Sequence, residues 1–265
     1  MCKYCSITRN LMAVVAAVVI SVAITGCAKQ EAKQHSKDSE SYAEMIEKVR
    51  YLVKKDSLSA FAFIDSVEQT GDYPAEVIDI ARGTIYANVG QIKKNEECFY
   101  KAINDNLYKV WPNGYYETVY KLAYSLYSRN NLEQAIRLAS AAYNRIQNET
   151  DPECDKHKWI IMALIGAANL RLHNFDESDR ILDKAYEGQR NYTIKHNDLK
   201  SAEMLLILCV NALSDNLIVH PEVMPKWLER ADEAFNIFEK NDKDGKRYDA
   251  CRDMHSYERC TIRRR

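Results

Sequence analysis

One spacing recurs along this chain and constrains its fold more than any single motif. Small residues stand at Gly83, Ala123 and Gly166, at intervals of 40 and 43 residues. Nine positions after each comes an apolar residue just past a tight turn: Ile92, Leu132 and Phe175. Ten positions further on come Ala102, Ala142 and Ala185. Self-similarity at such a period marks an array of supersecondary units, each too small to bury its apolar face alone. The frame predicts three helix–turn–helix units. Small residues sit where two helices must approach, and Tyr86, Phe99, Leu126 and Leu182 fill the space between them.

Weaker copies flank the three. Residues 42–54 and 58–70 read as one helix pair, with Asp56-Ser57 as the cap between them. Residues 200–213 and 226–240 read as another, joined by a linker from Ser214-Asp215-Asn216 through Pro225. The pattern resembles the tetratricopeptide repeat (TPR), clearly over residues 75–190 and loosely over 41–240. The resemblance implies an all-α fold, a right-handed α–α superhelix of about five helical hairpins. Its extra length over the family's 34-residue unit falls in two connections, residues 104–115 and 147–156, both with proline and turn residues. Asn95 and Ser178 depart from the pattern, standing where the family carries a helix-B alanine.

In TPR proteins the first helix of each hairpin lines a concave surface. Carried onto this sequence, the family's contact positions include Tyr120, Tyr124 and Tyr127 in the second clear repeat, Asn88 in the first and Arg171 in the third. Tyr116, Tyr120, Tyr124 and Tyr127 are spaced four, four and three apart, so they form one stripe along a helix. Two readings of the stripe stay open. It lines a groove as rigid amphipathic anchors, or it packs against the next repeat. An aromatic, apolar groove suits a peptide or helix more than an anion.

Composition narrows the alternatives. Basic and acidic residues number 37 and 38, so no long-range field points to nucleic acid. Gly and Pro number 8 and 5, too few for an all-β domain. The chain has no P-loop, GxSxG, HExxH or paired CxxC. It is read as non-enzymatic, with no cofactor, no catalytic residue and no metal site. Asp242-Lys243-Asp244-Gly245 fails as a calcium loop, because Lys240 and Cys251 occupy positions that need carboxylates. Cys251, His255 and Cys260 lack a fourth ligand for zinc. Cys98 and Cys209 lie within apolar helical patterns and are expected to be buried thiols.

The N-terminus supplies an address. Lys3 and Arg9 precede an almost wholly apolar run over residues 11–24, followed by Thr25-Gly26-Cys27. A basic start, a short apolar core and small residues before the cut describe an export signal. The run of about 14 residues is shorter than the roughly 20 that span a bilayer. Ile24-Thr25-Gly26-Cys27 resembles the lipobox of bacterial lipoproteins, which implies that Cys27 is the lipidated residue and that residues 1–26 are removed. Residues 27–40 are polar and aperiodic and read as a flexible tether. Residues 241–265 read as a cap helix or a truncated repeat.

The expected protein is a TPR lipoprotein anchored to the membrane outside the cytoplasm, at the outer rather than the inner membrane. It binds a protein or peptide partner and no nucleic acid. Two alternatives are similar in build: the extracytoplasmic sensory region of a two-component-type regulator, and a carbohydrate-uptake accessory lipoprotein. The lipobox generates the first prediction. Cys27→Ser should abolish metabolic palmitate labelling and leave the signal uncleaved; labelling equal to that of the natural chain would contradict the assignment.

Overall fold

The structure is a computed structural model that describes residues 38–149 and 151–242. Among these residues the fold is all-α, with no strand. The helices are α1 (38–55), α2 (Ser57–Thr70), α3 (Ala75–Asn88), α4 (Ile92–Asn104), α5 (Leu107–Val110), α6 (Pro112–Ser128), α7 (Leu132–Ile146), α8 (Pro152–Arg171), α9 (Phe175–His196), α10 (Leu199–Val219) and α11 (Met224–Asn241). A 3₁₀ turn, Pro221–Val223, links the last two. Cys27, the signal, the calcium-loop sequence beyond Asp242 and the Cys251–His255–Cys260 group lie outside the described residues.

Three expectations need correction. Residues 38–40 are already helical, so they belong to α1 and not to the tether. The segment Ser214-Asp215-Asn216 is no linker, because α10 runs through it to Val219. Cys98 is only half-buried, whereas Cys209 is fully buried as expected, and so is Cys154. Burial pushes the thiols of Cys154 and Cys209 up, so both are neutral.

The chain divides into two units between Cys98 and Phe99. In the first, Asp56 caps α2 as expected, accepting from the backbone N–H groups of Leu58 at 3.1 Å and Ser59 at 2.9 Å. Val49, Ile64, Val77 and Ile85 are fully enclosed. Arg82 on α3 reaches Glu68 at 2.6 and 2.9 Å and Asp65 at 3.0 Å on α2.

The second unit holds α6 to α11. In α7 the buried residues Leu132, Ala135, Ala139, Ala142 and Ile146 step by three and four, a single inward stripe. Helix α8 is apolar around most of its circumference because it packs on α6, α7, α9 and α10. Helix α10 is long and apolar enough to cross a bilayer. It packs on α8, α9 and α11, with Leu205, Cys209 and Leu213 enclosed. Between α9 and α11, Asp183 accepts from Lys226 at 2.8 Å and Arg230 at 2.6 Å. The Arg230 guanidinium also lies 4.7 Å from the centre of the buried Trp227 ring.

The repeated frame is visible in three equivalent turns. Gly90, Asn130 and His173 all adopt the left-handed conformation, with φ of 75, 62 and 61°. After each, the N–H of Gln91, Asn131 or Asn174 returns to the carbonyl of Tyr86, Leu126 or Asn169 at 2.9–3.0 Å. This closure satisfies carbonyls that a helix end otherwise leaves open. Glycine meets the φ requirement without strain only in the first turn; Asn tolerates it in the second, and His takes it in the third.

The departures at Asn95 and Ser178 also have a purpose. Asn95 Nδ2 donates to the Gly83 carbonyl, and Ser178 Oγ to the Gly166 carbonyl, both at 2.9 Å. A polar side chain thus ties helix B to the glycine of helix A in both hairpins, where the second hairpin has Ala135. Gly166 sits so close to α9 that an added Cβ would lie 2.7 Å from Leu182 Cγ and 3.1 Å from Ile181 Cγ2. Gly166→Val should therefore overpack this contact and cost about 1–3 kcal/mol of unfolding free energy. A urea transition at the natural midpoint would show that the helices have room to part.

Candidate functional site

The tyrosine stripe divides between core and surface. Tyr116 is fully buried and is not a groove residue. Helix α6 starts at Pro112, so Tyr116 falls in its early turns, beneath Tyr108 and Tyr115 at ring distances of 6.2 and 5.2 Å. The Glu149 carboxylate stands 3.1 Å from the Tyr108 hydroxyl that donates to it. Burial pushes the Tyr116 phenol up. Tyr120 is half-buried, and burial together with neighbouring Tyr124 pushes its phenol up to about 12. Tyr124 is 41% exposed, while Tyr127 is only 5% exposed.

Tyr120, Tyr124 and Tyr127 form one wall of a hollow of about 440 Å³, which includes the solvent at its mouth. Helix α8 contributes Ile160, Ala163 and Ala167; helix α10 contributes Met204, Ile207 and Asn211. The first helices of three successive hairpins therefore converge on one apolar concavity. Its residues stand in register. Tyr124, Ala167 and Asn211 follow one another by 43 and 44 residues, as do Tyr120, Ala163 and Ile207. A period of that length places equivalent positions of neighbouring first helices side by side.

A hydrogen-bonded row closes one end. Tyr127, Arg171 and Asp215 are each 44 residues apart. The Tyr127 hydroxyl donates to Asp215 Oδ2 in a short bond. Arg171 donates to Asp215 Oδ1 through Nη2 at 2.8 Å and Nε at 3.1 Å. Its guanidinium lies 3.9 Å from the centre of the Tyr127 ring. Asp215 is 7% exposed, so its charge is matched inside the protein. Burial, then the Asp215 charge, pushes the Tyr127 phenol up.

Of the residues that the sequence marks for the groove, the structure brings Tyr120, Tyr124 and Tyr127 to the hollow and Arg171 to the row beside it. Asn88 is exposed in the other unit, where its amide donates to the Thr84 carbonyl at 2.8 Å. The third wall on α10 and the role of Asp215 were not read from the sequence. The 44-residue interval linking Tyr127, Arg171 and Asp215 is the sequence signal that could have found them.

A second hollow, of about 370 Å³, continues past Ile160 and Met204, which line both. Lys156 and Lys200, again 44 residues apart, line it together with His157 and Asp198. His157 is buried, and its Nε2 is 2.6 Å from Asn113 Oδ1. Burial pulls its pKa down to about 3, and Lys156, Lys200 and Lys121 pull in the same direction against Glu117. The imidazole is neutral at physiological pH. Among the described residues no group of three or more His, Cys, Asp or Glu side chains is placed to hold a metal ion.

Comparison with protein-family profiles and with curated proteins finds no match to this chain. The row at Asp215 yields a stability prediction. Tyr127→Phe removes one donor from a buried carboxylate and should cost about 1–3 kcal/mol. Asp215→Ala strips Arg171 of its partner and should cost up to about 3 kcal/mol; Arg171 is one-third exposed, so water takes up part of its charge. Urea unfolding of both variants checks this, and two unchanged midpoints would contradict it.

Proposed function

We propose that this protein is a membrane-anchored TPR lipoprotein that binds a protein or peptide partner in a concave groove and catalyses no reaction. Its hairpins wind as a right-handed α–α superhelix, and the first helices face the groove. Lipid on Cys27 holds the domain at the cell envelope, outside the cytoplasm. One acyl chain binds a membrane weakly, and several on one residue hold it firmly, since each buried methylene contributes about 0.8 kcal/mol.

The observation that carries this reading is the hollow walled by Tyr120 and Tyr124 between α6, α8 and α10. Large apolar concavities with a few fixed polar groups are where ligands bind. Tyrosine is suited to such a surface, because it supplies a wide apolar face and a hydroxyl with only two side-chain torsions to order. The three turns of common geometry and the buried small residues Ala123, Gly166, Ala142 and Ala185 further support a repeat architecture.

Tyr124 gives the sharpest test, because it is the most exposed member of the stripe. Truncating an aromatic anchor costs about 2 kcal/mol of binding. Tyr124→Ala should therefore weaken partner capture about thirtyfold while the melting temperature stays near that of the natural chain. A variant that is strongly destabilised, yet whose folded fraction binds normally, would return Tyr124 to the packing role.

A further inference from the structure

The second hollow is lined from α8, α9 and α10, and one of its buried side chains is only half satisfied. Gln189 on α9 lines it and is 1% exposed. Its Nε2 donates to the Ser201 carbonyl at 3.2 Å, and the Thr193 hydroxyl donates to the same carbonyl at 3.0 Å. A carbonyl oxygen only accepts, so the amide cannot turn round without setting oxygen against oxygen. The other end of the amide, Oε1, has no hydrogen-bond partner within the fold. Buried acceptors in folded proteins are almost always paired, so this one calls for a donor.

The rest of the lining sets what that donor belongs to. Asp198 lines the hollow and is exposed. Its carboxylate accepts from the Ser201 N–H at 2.9 Å and the Ser201 hydroxyl at 2.7 Å, and each oxygen keeps a further lone pair. Lys200, two residues on, is exposed in the same lining. His157 adds no charge, because burial above all keeps its imidazole neutral. Ile160 and Met204 make one side apolar, towards the first hollow. We infer that this hollow binds a free apolar α-amino acid: its ammonium donates to Gln189 Oε1 and Asp198, its carboxylate meets Lys200, and its side chain lies against Ile160 and Met204. A simple anion would leave Gln189 Oε1 without a donor and would face Asp198. A simple cation would face Lys156 and Lys200, which both line the hollow. A zwitterion answers both signs within one small molecule, through charge-assisted hydrogen bonds. The apolar side favours an aliphatic or aromatic side chain, since a polar one would lose its water there without a partner. At about 370 Å³, mouth included, the hollow is of small-molecule size. None of Tyr120, Tyr124 and Tyr127 lines it, so the site stands apart from the groove reading.

Isothermal titration of the purified chain with L-leucine and L-phenylalanine tests this, and at least one should bind saturably. Two fragments of leucine separate the contacts. 4-Methylpentanoate lacks the ammonium and 3-methylbutylamine lacks the carboxylate; each should bind about tenfold more weakly than leucine, or worse. Asp198→Asn keeps a side chain that caps α10 but removes the charge, and Lys200→Gln removes the opposite charge at an exposed position. Each should weaken the amino acid about tenfold. Gln189→Leu should abolish binding; if that variant does not fold, the two exposed changes decide. Tyr124→Ala should leave the affinity as it is. No saturable heat from either amino acid, equal affinity for leucine and its two fragments, or affinity unchanged in both Asp198→Asn and Lys200→Gln would overturn the inference. Loss of binding in Tyr124→Ala would overturn it too, by moving the amino acid into the first hollow. The groove reading survives each of these results, because its own test is capture of a protein or peptide.

Discussion

The close approach of paired helices at small residues is the constraint on which the rest of the second unit depends. Where Gly166 faces Leu182 and Ile181, there is no room for a methyl group. That contact sets how far α8 stands from α9. The left-handed turn between them, closed by the Asn174 N–H on the Asn169 carbonyl at 3.0 Å, sets where the second helix starts. Spacing and turn together help to set how α6, α8 and α10 lie against one another. In that arrangement side chains 44 residues apart meet, as Asn113 and His157 do at 2.6 Å. The hollow and the Asp215 row are consequences of that register.

Much of this was legible because the signal is periodic. The positions of Gly83, Ala123 and Gly166 located three turns and the alanines opposite them, and these small residues and alanines are enclosed in the structure. Asp56 was legible as a cap because only a short polar side chain before an apolar run serves there. The misses have physical causes. Ser214-Asp215-Asn216 looks like a linker, since polar residues favour turns. Tertiary packing overrides that preference: Asn216 bonds the Ala212 carbonyl at 2.7 Å within α10, and Asp215 finds Arg171. Tyr116 shares the stripe's spacing, but helical spacing fixes direction and not cover; the cover comes from α5, whose presence the sequence left inside a connection.

Asn95 and Ser178 carry a more general lesson. Each stands where the second hairpin has Ala135, and each puts a buried donor on the carbonyl of a glycine. A buried polar group is stable only when it is paired. The substitution and its glycine partner therefore belong together, separated by 12 residues in both hairpins. The second hairpin, with alanine at both Ala123 and Ala135, reaches the same packing without the bond.

The proposal that the tyrosine-walled hollow is the recognition surface is tested most directly by placing a photo-crosslinker in it. Benzoylphenylalanine at Tyr124 of the protein in the cells that make it should give a discrete partner adduct on irradiation. The same group at Tyr51, which is 58% exposed in the other unit, should give none. No adduct from Tyr124, or the same adduct from both positions, would contradict the account.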